Sequence, residues 1–121
     1  MNLCIISDVA IAKIAISTFV LGWTHTVEKT RWEEVWAVTP SGLVMREARV
    51  KGTGAGMEPP PEARFDGAWY RWKPSPAPQP SVTLARSEIP GDWEICFGRA
   101  GCTPLAEWVA AAPQVTLKAC R

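Results

Sequence analysis

The sequence predicts an all-β domain spanning residues 1–121. The expected form is a β-sandwich or small closed barrel of about eight or nine short antiparallel strands with one short C-terminal helix. Three observations carry this. Apolar residues alternate at period two through most of the chain. Strand candidates recur roughly every 8–12 residues with turn chemistry between them. The 121 residues include 11 prolines, too many for a mostly helical bundle. The length supports one hydrophobic core and not two.

Residues 3–6 (Leu-Cys-Ile-Ile) read as a short strand. From Ile14 to His25, Phe19, Leu21 and Trp23 face one way, and Val20, Gly22 and Thr24 the other. Trp32 to Thr39 alternates again, with Trp32, Glu34, Trp36 and Val38 on one side. Pro40-Ser41-Gly42 is a turn, and Leu43 to Val50 resumes as a strand. The inner face of that strand is ambiguous, because both parities carry a charge. Lys51 to Glu62 holds three glycines and three prolines and reads as a loop. Trp69 to Lys73 is the next strand, and Pro74 to Pro80 an extended connection or edge. Ser81 to Arg86 and Asp92 to Phe97 are strands parted by Pro90-Gly91. Thr103-Pro104 reads as an N-cap and first-turn proline opening a helix from Leu105 to Ala112, which Pro113 stops. Gln114 to Ala119 closes the series. The seven tryptophans serve the core of a small β domain, where large rings fill the space between sheets.

Composition excludes several functions. With a net charge of +1 and scattered charges there is no basic field for nucleic acid. The apolar stretch over residues 9–23 is interrupted by Lys13, and the uncharged run from Ile14 to Thr24 is too short to span a membrane. No basic residue precedes Lys13 and no small-x-small cleavage site follows, so the stretch reads as buried strand and not as a secretory signal. On this reading the protein is cytoplasmic or membrane-associated, with a periplasmic location left open. The four cysteines, at 4, 96, 102 and 120, make no CxxC pair, which argues against a zinc ribbon or thioredoxin-like motif. Cys96 and Cys102 flank a Gly-containing turn that a cross-strand disulfide could close, and Cys4 and Cys120 lie near opposite ends. Two bridges and four thiols both fit.

The sharpest local argument concerns the segment from Phe19 to Val38. If its two alternating stretches form a hairpin, a register that aligns both apolar faces sets Phe19 opposite Val38, Leu21 opposite Trp36, Trp23 opposite Glu34 and His25 opposite Trp32. Shifts by two residues would preserve the faces. Glu34 then lies on the inward face between two tryptophans. A buried carboxylate needs a donor, and His25, the single histidine, is the expected one. Arg31 has the opposite parity. The pair reads first as a structural contact that fixes register. A ligand site joined by Glu28 or Glu33 is the alternative, and a metal site the third, although the spacing matches no metal signature.

Other motifs yield little. Gly52-Thr53-Gly54-Ala55-Gly56 lacks the lysine and hydroxyl residue of a phosphate-binding loop, and no strand–helix unit surrounds it. No nucleophile elbow or triad is present. Trp69-Tyr70-Arg71-Trp72 reads as core rings beside a solvated arginine more than as a stacking surface. No cofactor is expected.

The run from Trp23 to Trp36, with His25-Thr26-Val27-Glu28 and Glu34-Val35-Trp36, followed by Gly52-Thr53-Gly54-Ala55-Gly56, resembles a bacterial and archaeal family of domains of unknown function found alongside TRAP transporters of the TAXI type. The family pattern is a His-Ser-Val-Glu stretch, a Glu-x-aromatic and a Gly-x-Gly-Ala-Gly loop. Thr26 stands where serine is usual and keeps the hydroxyl. The resemblance covers about half the chain. It implies a non-enzymatic accessory or interaction module whose partner is a TRAP-type permease for organic acids. It also implies His25, Glu28, Glu34, Gly54 and Gly56 as signature residues. A sensor of a small ligand, such as a small carboxylate, or of an ion is the alternative function, and a metal-dependent enzyme a distant third.

Overall fold

A computed structural model describes residues 1–24, 30–52, 59–74, 77–85, 92–98, 101–109 and 113–121. Among these the chain forms strands β1 (Asn2–Ile6), β2 (Ile11–Ile14), β3 (Thr18–Thr24), β4 (Arg31–Thr39), β5 (Gly42–Lys51), β6 (Arg64–Phe65), β7 (Trp69–Trp72), β8 (Val82–Ala85), β9 (Glu94–Cys96), β10 (Cys102–Pro104) and β11 (Gln114–Cys120). They make two antiparallel sheets, ordered β2-β1-β11-β8 and β10-β9-β3-β4-β5-β7-β6. Both sheets are open, so the architecture is a β-sandwich and not a barrel.

Both sheets contribute to one buried cluster. Leu3, Ile5, Leu84, Val115 and Leu117 come from the smaller sheet, and Phe19, Leu21, Trp36, Val38, Leu43 and Ile95 from the larger. Each ring or branched chain removed from water contributes roughly 1.5–3 kcal/mol before entropy is charged against it. The apolar stretch over residues 9–23 holds strand β2 and most of strand β3, but it is buried only in β3, at Phe19, Leu21 and Gly22; Val9 and Ile11 are exposed. Among the described residues no helix is long and apolar enough to cross a membrane.

The β3–β4 hairpin forms with the expected faces but in a register two residues away. Phe19 pairs with Trp36, Leu21 with Glu34 and Trp23 with Trp32. The expected partners (Phe19 with Val38, Leu21 with Trp36, Trp23 with Glu34) are therefore replaced. A two-residue slip leaves side-chain parity untouched, so face alternation could not choose between the registers. Ring pairing favours the observed one: Trp23 and Trp32 stack with centroids 6.2 Å apart.

The ambiguous inner face of β5 has a geometric origin. The β4–β5 register shifts between Val35 and Trp36: Trp36 pairs with Met45, whereas Val35 pairs with Glu47. Arg46 is the extra residue of a β-bulge. Leu43 faces the core before it, and Ala48 and Val50 are buried after it, on the other numerical parity. The turn into β5 holds Gly42 at φ 127°, and a Cβ there would meet the Gln79 carbonyl oxygen at 2.5 Å. That close approach is a backbone bridge, in which Leu43 N donates to Gln79 O (2.9 Å) and Gln79 N to Leu43 O (2.7 Å).

The C-terminal helix is reduced to a single 3-10 turn at Leu105–Glu107. Thr103 and Pro104, read as its cap and first residue, belong instead to β10 and pair with Ile95 and Glu94. The ladder with β9 satisfies the backbone there, and full burial of Leu105 anchors the turn. Residues 110–112 lie outside the described residues.

Two disulfides close the structure. Cys4–Cys120 joins adjacent strands β1 and β11 with Cα atoms 6.0 Å apart, and Cys96–Cys102 joins β9 and β10 with Cα atoms 4.0 Å apart. No cysteine is free.

Candidate functional site

Strand parity places Glu34 on the face of β4 that looks toward the smaller sheet, with Leu21 directly across from it. Its Oε1 accepts a hydrogen bond from Trp36 Nε1 at 3.1 Å. Residues two apart on a strand share a face, so the Glu34-Val35-Trp36 spacing itself lets the indole reach the carboxylate. Trp36 is only 4% exposed, which fixes the donor. Burial pushes the Glu34 carboxyl above its ordinary value of 4.5, and the indole bond opposes that shift without cancelling it.

Glu34 lines a cleft of about 450 Å³ between the two sheets. Trp23, Trp36 and Met45 contribute from the larger sheet, Val82 and Leu84 from β8, and Trp93 from the segment just before β9. Trp93 packs against Trp23 at a centroid distance of 4.9 Å, and its indole N–H is held by Ala85 O at 3.2 Å. Among the described residues, Glu34 is the one charged side chain in the lining. A second cleft of about 470 Å³ lies beside β6 and β7, lined by Phe65, Asp66, Arg71 and Trp72 among others. The two clefts are similar in size, but two carboxylates of the second, Glu47 and Asp66, are already engaged by Arg71.

The opposite face of the larger sheet carries a ladder of alternating charges. It runs Glu94, Arg31, Glu33, Arg49, Glu47, Arg71, Asp66 across β9, β3, β4, β5 and β7. Arg49 and Arg71 are directly opposed in the β5–β7 register, and Glu47 pairs with both. Asp66 caps the β6–β7 turn by accepting the N–H groups of Ala68 (3.0 Å) and Trp69 (2.7 Å), and Arg71 Nε reaches it at 2.6 Å. These bonds hold the Asp66 carboxyl far below the usual carboxylate range. Sequence reading missed the ladder. Its signal was present in the i, i+2 charges Arg31/Glu33 and Glu47/Arg49, all on outward parity.

Of the signature residues, the structure describes Glu34. His25, Glu28, Gly54 and Gly56, and with them the expected His25–Glu34 contact, lie outside the described residues. At the same end of the sheet, Thr30 Oγ1 and Trp32 Nε1 are buried and have no hydrogen bond with a described residue. Trp93 and Gln79 join Glu34 from distant parts of the chain, and nothing in the sequence linked them to it, while Met45 comes from the neighbouring strand β5 opposite Trp36. Among the described residues no group of three or more His, Cys, Asp or Glu converges to hold a metal ion.

The fold and cleft define an open two-sheet sandwich with an acid-bearing aromatic cleft between its layers. A family model for a domain of unknown function, DUF1850, matches residues 19–105, and the chain belongs to that family. The match spans β3 to β10 and so includes Glu34, the tryptophans of the cleft and the whole charge ladder. Comparison with curated proteins and with solved structures finds no match.

Proposed function

We propose that this chain is a non-catalytic accessory module that binds a small solute in its inter-sheet cleft and works beside a TRAP-type permease for organic acids. The cleft carries the binding half of this reading. Its volume lies in the range of small-molecule sites, its lining is mostly apolar, and among the described residues it holds one charged group, the carboxyl of Glu34, which burial pushes up. The permease half rests on the resemblance of His25-Thr26-Val27-Glu28, Glu34-Val35-Trp36 and the Gly52–Gly56 loop to domains found alongside TAXI-type TRAP transporters.

The cysteines bear on where the module works. All four are bridged, and stable disulfides belong to oxidising compartments. This favours the extracytoplasmic side of the membrane over the cytoplasm, and that is also where a solute is met before uptake.

Thermal unfolding of the oxidised chain against a panel of small organic solutes tests binding. A ligand that occupies the folded state stabilises it by mass action, by about 2.7 kcal/mol at a hundredfold excess over Kd, and so raises Tm. An upward shift with at least one solute is expected, and no shift with any solute overturns the binding reading. Affinity purification from native membranes tests the partner: a TRAP permease should co-purify. Its absence from eluates of membranes that demonstrably contain it would overturn the accessory role.

A further inference from the structure

Glu34 is a carboxylate set among aromatic rings, with no cationic side chain beside it among the described residues. Among the described residues Glu34 is the one charged group lining the cleft. Its Oε1 takes the neutral indole N–H of Trp36, and its Oε2 takes no hydrogen bond from a described residue. Arg31, on the same strand, is committed to Glu33 and Glu94 on the other face of the sheet. Burial between the rings takes water from the ionised carboxyl, and a positive guest would restore part of what water has lost.

The rest of the lining selects the kind of cation. Trp23, Trp36 and Trp93 are electron-rich rings, and Met45 adds a polarisable thioether. Such walls attract diffuse, weakly hydrated cations by their quadrupole. A hard metal ion asks instead for several oxygen ligands, which the described residues do not gather here. A simple carboxylate would meet Glu34 with like charge. We infer that the cleft binds a small alkylated ammonium group, with Glu34 as counter-ion and the tryptophans as walls, an assignment that rests on the ligand-binding reading above.

Titration of the disulfide-bonded chain with choline and with tetramethylammonium, followed by tryptophan fluorescence and calorimetry, tests this. Sodium acetate and sodium succinate at matched ionic strength are run in parallel, on wild type and on Glu34→Gln. Thermal unfolding confirms that the variant is folded. Saturable ammonium binding in wild type, weakened roughly tenfold or more in Glu34→Gln, is the expected result. Ammonium binding of equal strength in both proteins overturns the counter-ion assignment. Binding of a carboxylate with none of the ammonium ions overturns the ligand class and leaves the ligand-binding module standing. Binding of no probe, together with a flat solute panel in the melting assay, removes both.

Discussion

The guanidinium of Arg31 lies across Gly22. A Cβ built on Gly22 would come within 2.6 Å of Arg31 Cζ, closer than real contacts allow. Gly22 faces Glu33 on one side and Glu94 on the other in the ladders of β3. With no side chain at Gly22, Arg31 can span the strand and pair with both acids. The same guanidinium stands 3.9 Å from each sulfur of the Cys96–Cys102 bridge. Glycine normally weakens a strand, so its presence here is explained by the arginine and not by the backbone.

Gly22→Ala should therefore cost stability only through Arg31. The expected loss is about 1 kcal/mol, the scale of a networked, partly exposed ion pair. In an Arg31→Met background the same substitution should be neutral or slightly stabilising, since alanine restricts the unfolded chain. Urea midpoints of the four proteins in this cycle measure the coupling. An equal cost in both backgrounds would show that the arginine is not the reason for the glycine.

Glu34→Gln should raise stability at neutral pH, by on the order of 1 kcal/mol. The folded state holds the Glu34 proton more tightly than the unfolded chain does. The ionised carboxyl is thus a penalty on folding that is absent below the unfolded value of 4.5 and grows as pH rises through the raised folded value. Glutamine keeps an acceptor for Trp36 and removes the charge. Melting curves should separate at about pH 7 and converge near about pH 4. A variant that melts lower than wild type at neutral pH would show that Glu34 has a cationic partner in the free protein.

Asp66 titrates with the opposite sign. Its depressed carboxyl contributes to the β6–β7 hairpin above the unfolded value of 3.8, and that contribution is lost only as pH falls through the much lower folded value. The amides of Ala68 and Trp69 should stay protected at about pH 3, where an ordinary aspartate is mostly protonated. In Asp66→Ala both amides should exchange faster at every pH, while those of β3 and β4 are unchanged. Uniform loss of protection across the larger sheet would contradict a local capping role.

The two disulfides should differ in what they contribute. Cys4–Cys120 closes a loop with a sequence separation of 116, and Cys96–Cys102 one of 6. Chain-entropy scaling gives losses of about 5 and about 2 kcal/mol when each pair is replaced by alanine. Denaturant unfolding of the two double variants tests the order. A larger loss from the Cys96–Cys102 pair would mean that its contacts with Arg31 outweigh loop closure.

The alternation Phe19, Leu21, Trp23 against Trp32, Glu34, Trp36 determined from the sequence alone which faces of β3 and β4 look inward, and so that Glu34 is an inward acid. Period two sets parity locally, whatever the partner strand. Parity is blind to even shifts, so only tertiary pairing, through the Trp23–Trp32 stack, decided the register. Only folding revealed that Arg46 is a bulge that reverses the inner parity of β5, because one extra residue is defined only against a partner strand. The cleft belongs to the same class. Trp93, Gln79 and Leu84 reach Glu34 from more than forty residues away, and such meetings are set by how two sheets stack, which no local pattern encodes.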